Sequence, residues 1–392
     1  MKKLITGVFL LTIVLSAKAQ DAYETVLQQI EANNTALEAL RKQTEAQKIG
    51  SRTGLLPENP EAGFNKLWGR PPQIGNRMDI SVTQTFDFPT VYKHRSKIAD
   101  LQNENIELSY GAQRIDILLS AKQACIELVY YNALAKEYAV RLQNAKLIAD
   151  AYKIQLEQGE ANILEHNRAQ LNLTSVQIET AQIEAQRAEL FSRLKQLNGG
   201  LPVSFAADAY PVNPLPDNFE EWYSTIEDKN PELQYARQQI EIEAQQVKLA
   251  RAMGLPKFWV GYIGEINQDE SSHGITVGLS IPLWENKNRV DEARAQMKSA
   301  ELSLKDSKVQ FYNYLQSQYL KAASLRQNAQ KFRRSITENS SEPLLKRALE
   351  AGEISLLDYL GEIEYYYEVM NRVLEAERDF ELAAAQLWAA QL

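Results

Sequence analysis

Between Tyr92 and Leu156 the chain has no proline and a single glycine, Gly111. A run of about 65 residues without a breaker predicts one helix of roughly 100 Å at 1.5 Å per residue. Within it Leu101, Leu108 and Ile115 recur every seven residues, and Ala112, Leu119 and Ile126 form a second series offset by four. Together they make a short a/d seam of coiled-coil period, ended by Lys122 in the first series. The run stops at EQGEANILE, residues 157–165, and the pattern then resumes. Leu164, Leu171 and Ile178 form one heptad series there, and Ile183, Leu190 and Leu197 form another, up to the stop signal Asn198-Gly199-Gly200.

The same programme runs twice. EAGEISLLD, residues 350–358, repeats the first break, with Gly352 lying 193 residues after Gly159. Leu56-Pro57 and Leu255-Pro256 are 199 residues apart, a difference that loop insertions would produce. Between the halves, Pro202, Pro211, Pro214 and Pro216 mark a linker. Asn230-Pro231 opens a helix to about Met253, and a second long helix is expected from about Asn286 to Glu350, then a last one to about Gln391. This gives a first repeat over 20–200, a linker over 201–217 and a second repeat over 218–392.

Each half also carries two short alternating stretches. In MDISVTQTFDF (78–88), Met78, Ile80, Val82, Phe86 and Phe88 fall on one face, against Asp79, Ser81, Thr83, Thr85 and Asp87. In ITVGLSIPL (275–283), Ile275, Val277, Leu279, Ile281 and Leu283 oppose Thr276, Gly278, Ser280 and Pro282. Period-2 alternation predicts strands, here at about 78–88 and 273–284, with weaker partners at about 60–69 and 257–267. Strands of this length suit a tilted membrane crossing, but a soluble hairpin packed on helices alternates too. One hairpin pair cannot close a barrel; four strands from each of three copies would give twelve and leave no edge. Trp68, Trp259 and Trp284 lie in or beside these strands, where an interfacial aromatic girdle would place them.

Residues 1–19 read as a cleaved export signal: Lys2 and Lys3, an apolar run from Leu4 to Leu15, then Ala17-Lys18-Ala19. About twelve apolar residues are too few to span a bilayer core, and no other stretch reaches the length of a transmembrane helix. No cysteine follows the apolar run to take a lipid. The net charge of -8 and the lack of a basic stripe argue against nucleic acid. With only Cys125 and the scattered His94, His166 and His273, no metal site or cofactor is expected. No phosphate-binding glycine loop, Gly-x-Ser-x-Gly or His-Glu-x-x-His occurs, so an enzyme is not expected.

The two-fold repeat, the strand-to-helix junctions TQTFDFP (83–89) and GLSIPLW (278–284), and the two Gly-Glu breaks resemble the outer-membrane efflux channel family typified by TolC. The second break meets the family pattern with Gly352, Asp358 and Leu360; the junction FDFPTVYKHR (86–95) is similar to the heavy-metal efflux branch, with Lys93-His94-Arg95 a partial match to Gly-Lys-Arg. The resemblance implies a mostly α chain with a membrane β part: a homotrimer whose twelve strands form a barrel in the outer membrane of a Gram-negative bacterium, continued by a helical barrel across the periplasm. It implies a periplasmic adaptor and an inner-membrane pump as partners, and conduction of substrate outward. Asp358 falls where the family has a constricting carboxylate; the second family position is Gly361, with Glu362 beside it. A carboxylate ring would favour cations. Gly159, Glu160, Glu165, Gly352 and Glu353 at the two tips become the expected adaptor-docking surface. A polypeptide secretion channel and a pore-less periplasmic coiled-coil scaffold remain the alternatives. In EIEYYYEV (362–369) the three adjacent tyrosines cannot share one helix face, so at least one is expected in the core.

Overall fold

The computed structural model describes residues 21–71, 75–211, 214–267, 270–339 and 342–392, so the expected export signal lies outside the described residues. The chain divides into two compact units. One takes Leu40–Ala112 and Glu227–Phe311; the other takes residues 21–39, Gln113–Ile226 and Tyr312–Leu392. Helices α1 (21–33), α2 (Thr35–Ser51), α3 (Pro89–Gln158), α4 (Ile163–Leu197), α5 (Phe219–Glu227), α6 (Pro231–Ala252), α7 (Arg289–Glu338), α8 (Glu342–Glu350) and α9 (Leu356–Leu387) supply most of the described residues.

The first unit holds a single antiparallel sheet. Strands β1 (Glu61–Trp68), β2 (Asn76–Phe86), β3 (Lys257–Ile266) and β4 (Ser271–Ser280) lie in the order β1-β2-β3-β4. Each half of the chain contributes one hairpin, and β2 pairs with β3 to join them. The Gly69 amide closes the first hairpin on the Gly75 carbonyl at 3.1 Å. Asn267 closes the second on Glu270 at 2.8 Å. β2 stops at Phe86 because the next amide, of Asp87, donates to the Tyr92 hydroxyl at 2.8 Å, and Pro89 then starts α3. β4 ends at Ser280, short of the alternating stretch. Its partner begins at Lys257, directly opposite, and Pro282 has no amide to offer.

The register puts Phe64, Ile80, Val82, Phe86, Phe258, Val260, Tyr262, Ile275, Val277 and Leu279 on one face. That face is the exposed one: Ile275 and Val277 are 79% and 73% accessible. Ser81, Thr83, Thr85, Trp259, Thr276 and Gly278 share the other face and are half-buried. A soluble hairpin would hide the first set. Leu67, Trp259 and Ile263 are the large apolar residues on the polar face. Gly278 is needed for space: a Cβ there would sit 2.2 Å from the Trp259 ring, which covers it from the neighbouring strand. The helices beside the sheet meet through Ile98, Leu101 and Ile242.

In the second unit α1 packs Tyr23, Val26 and Ile30 against Leu118, Ala121, Cys125 and Leu128 of α3 and Leu190 and Leu194 of α4. Small residues at 121 and 124 give the α1 side chains room, so this core follows a 3–4 spacing rather than the heptads read at 101–126. The Pro-rich linker is packed down. Phe205 is buried, the Tyr210 hydroxyl donates to the Ile126 carbonyl at 3.1 Å, and the Asn132 side chain donates to the Ala207 carbonyl at 2.9 Å. Burial holds the Tyr23 and Tyr210 hydroxyls well above their ordinary pKa and pushes the Cys125 thiol up to about 12, so all three stay neutral.

The capping chemistry follows the sequence. Asn230 accepts from the Leu233 amide at 2.9 Å with Pro231 in the first turn, and Asn198 ends α4. The helix expected over 286–350 is divided: α7 ends at Glu338 and α8 starts at Glu342, with Pro343 in its first turn, where a missing amide costs nothing.

Candidate functional site

The two Gly-Glu breaks fold as one motif. In the first, Gly159 takes φ 77° and the Glu160 amide reaches back to the Gln155 carbonyl at 2.8 Å. In the second, Gly352 takes φ 72° and the Glu353 amide reaches the Ala348 carbonyl at 2.8 Å. Positive φ is cheap only for glycine, so these positions let α3 and α8 stop and the chain reverse. Three residues later comes a cap, and three after that an acid. Asn162 accepts from the Leu164 and Glu165 amides, and the Glu165 carboxylate accepts from the Asn162 amide at 3.0 Å. Ser355 accepts from the Asp358 amide at 3.2 Å and donates its hydroxyl to Asp358 Oδ2 at 2.6 Å.

The difference lies in reach. A glutamate at the third position spans back to the cap's backbone and closes a capping box; aspartate, one methylene shorter, meets the serine hydroxyl instead. Asp358 stays exposed, whereas Glu165 is half-buried. Both acids also sit where the helix dipole favours negative charge. Glu160 and Glu353 point to solvent beside their glycines.

One turn into α9, Glu362 follows Asp358 at i+4 on the same exposed face, and exposed Tyr365 follows at i+7. The opposite face buries Leu356, Tyr359, Leu360 and Ile363 against Ala149 of α3 and Ala169 of α4. Tyr366 and Tyr367 pack beside that cluster. The tyrosine run thus divides into one outward ring and two inward ones.

Sequence reading missed what lies above this tip. Arg141 of α3 is only 4% exposed, and its guanidinium lies 4.5 Å from the Tyr138 ring centre and 4.2 Å from that of Tyr367. Its Nη2 donates to Asn371 Oδ1 at 2.9 Å, and Asn371 donates on to the Tyr138 hydroxyl at 3.4 Å. Burial raises the pKa of both tyrosines, so the cation faces two neutral rings. One arginine inside a polar run carried no spacing signal to mark it.

The heptads of the α3–α4 hairpin sort into two kinds. Ile183 and Leu190 are core, whereas Leu164 and Leu171 are 74% and 70% exposed, with Ile178 exposed one heptad on. Val140, Leu147 and Ile154 of α3 are exposed at the same seven-residue period. Two apolar heptad stripes thus face away from the chain's own core.

The three tryptophans separate as well. Trp68, at the end of β1, and Trp284, beyond β4, are exposed. Trp68 shares the apolar face, with Lys66 near its ring. Trp259 belongs to the polar face, lying opposite Thr85 and over Gly278, the face opposite that of Trp68. His94 meets Gln245 at 3.3 Å and His273 meets the Tyr262 hydroxyl at 2.8 Å, each with a local partner. No helix among the described residues is long and apolar enough to cross a membrane.

The sequence model of the family described as outer membrane efflux protein matches residues 222–391, which take in the second hairpin and the Gly352 tip. No curated protein matches the chain in sequence. Solved structures do match in fold. The CmeC outer membrane channel of Campylobacter jejuni is 17% identical with a TM-score of 0.74, covering 94% of this chain and 85% of that one. VceC, an outer membrane protein of Vibrio cholerae, is 15% identical with a TM-score of 0.75, over 95% and 97%. CusC, solved in a study of folding and transmembrane channel formation, is 15% identical with a TM-score of 0.78, over 94% and 92%. The chain therefore has the fold of these outer-membrane channels, mostly helical with four antiparallel strands and two structural repeats, and carries the efflux-protein signature over its C-terminal 222–391 segment.

Proposed function

We propose that this chain is one subunit of an outer-membrane efflux channel that conducts substrate from the periplasmic side to the exterior. The observation that carries this reading is the inverted sheet. Its apolar face is the more exposed one and its polar face carries the serines and threonines, the alternation that a barrel wall between lipid and an aqueous lumen requires. Strands β1 and β4 are the sheet's edges, and an open edge is a template for another copy. Three copies would close twelve strands. The helices then form the periplasmic duct, with the exposed stripes through Leu147 and Leu171 as seams between copies. Trp68 and Trp284 anchor the barrel at the lipid interface.

In this assembly the Gly159 and Gly352 tips, with Glu160, Glu165 and Glu353, dock a periplasmic adaptor that leads to an inner-membrane pump. Asp358 and Glu362, on the exposed face of α9, ring the constriction. Identities of 15% to CusC and 17% to CmeC carry the fold alone, so the proposal extends to outward conduction and not to a particular cargo.

Two outcomes test this. Leu171→Glu places a charge in the subunit seam, and heat-labile oligomer on unboiled gels should fall at least tenfold, since a buried unpaired charge costs several kcal/mol; undiminished oligomer would remove the seam. Asp358→Ala should raise single-channel conductance or abolish block by multivalent cations in planar bilayers. An unchanged trace would return Asp358 to a capping role.

A further inference from the structure

We propose that Arg77, Asp79 and Glu265 form a charge filter on the lumen wall, at the hairpin end of the sheet, that makes this end selective for cations. The inference rests on the channel reading above. Asp79 of β2 and Glu265 of β3 are directly opposite in the register. Like charges so placed repel across strands, and something must hold them together. Arg77 does so: its Nε donates to Asp79 Oδ1 at 2.7 Å and its Nη2 lies 3.0 Å from Glu265 Oε2. One guanidinium against two carboxylates leaves one negative charge per chain.

The opposite end of the same face carries the reverse imbalance. Asp87 lies 2.9 Å from Arg95 and 3.8 Å from Lys257, one carboxylate against two cations. Between the two clusters β2, β3 and β4 present only uncharged side chains on this face, among them Ser81, Thr83, Thr85 and Thr276; Glu61 of β1 is the one further charge. Cross-strand ties that served stability alone would do best balanced. The surplus at each end instead faces the polar side, where repetition around a closed barrel turns it into a ring. Rings of fixed charge select ions by sign. Wall charges act over about one Debye length, ~10 Å at 0.1 M salt and ~3 Å at 1 M, so the filter works at low salt and fades at high salt.

The test is the reversal potential of reconstituted channels under an asymmetric KCl gradient, in four forms. Glu265→Gln removes one negative charge and keeps the Arg77–Asp79 pair. Arg77→Gln removes the positive charge. The double variant, Arg77→Gln with Glu265→Gln, restores the net charge of the wild type. The expected order is a shift towards anions for Glu265→Gln, a shift towards cations for Arg77→Gln, and no shift for the double variant. All shifts should shrink at 1 M salt. If Arg77→Gln fails to fold because two carboxylates then face each other unbridged, Glu265→Gln carries the test alone. Conducting channels with identical reversal potentials, or a double variant as displaced as either single one, would overturn the filter while leaving the channel intact. A wild-type protein that never conducts would overturn the channel reading and the filter with it.

Discussion

Replacing Gly278 with leucine should prevent formation of the four-stranded sheet. A Cβ at 278 would lie 2.2 Å from Trp259 ring atoms, far inside contact distance, and the ring is held by its own strand directly opposite. Neither neighbour can yield cheaply: moving the indole uncovers the glycine backbone, and moving β4 breaks pairing from Lys257–Ser280 onward. Overpacking of this kind costs about 1–3 kcal/mol, and lost cross-strand aromatic packing adds about 1 kcal/mol. An open four-stranded sheet has little stability to spare. The measurement is strand content by circular dichroism together with heat-dependent gel mobility. Combining Gly278→Ala with Trp259→Ala should recover much of the loss, because the clash partner is gone. A Gly278→Leu protein with wild-type mobility would mean that the indole does not lie over Gly278.

The second large effect is expected at Arg141. Its guanidinium is buried between two neutral phenol rings and holds Asn371. A desolvated cation over a ring is worth about 2 kcal/mol, and truncation of a large buried side chain leaves a cavity worth a similar amount. Arg141→Ala should therefore cost roughly 3–5 kcal/mol locally. The loss should loosen the packing of α3 on α9 and expose the Gly352 turn to protease. Arg141→Met keeps the stem and removes a buried charge that has no ion pair among the described residues, so it should cost less than alanine. Hydrogen exchange in α9 reads the difference. Equal protection in Arg141→Ala and the wild type would show that the ring sandwich contributes nothing.

Much of this was legible in the sequence. Gly159, Gly352, Asn162 and Ser355 declare the two turns by residue type alone, because positive φ and amide capping demand those side chains. The alternation at 78–88 and 275–283 marks the strands and their faces, but not which face is the more exposed. Exposure depends on how the four strands lie together, a tertiary fact. Heptad spacing at Leu164, Leu171 and Ile178 marks an apolar stripe, which the structure leaves exposed, since periodicity does not say whose partner the stripe meets. Trp259 was read with Trp68 and Trp284 because all three lie near strand ends; only the register separates it. The Arg141 sandwich had no local signature, for its three partners come from residues 138, 367 and 371.

Planar-bilayer recording of the protein, extracted from membranes in detergent, tests the account most directly. The account predicts discrete, long-lived conductance steps carried by a heat-labile oligomer and lost on boiling. A chain that stays soluble and monomeric without detergent, and is silent in the bilayer, would contradict it.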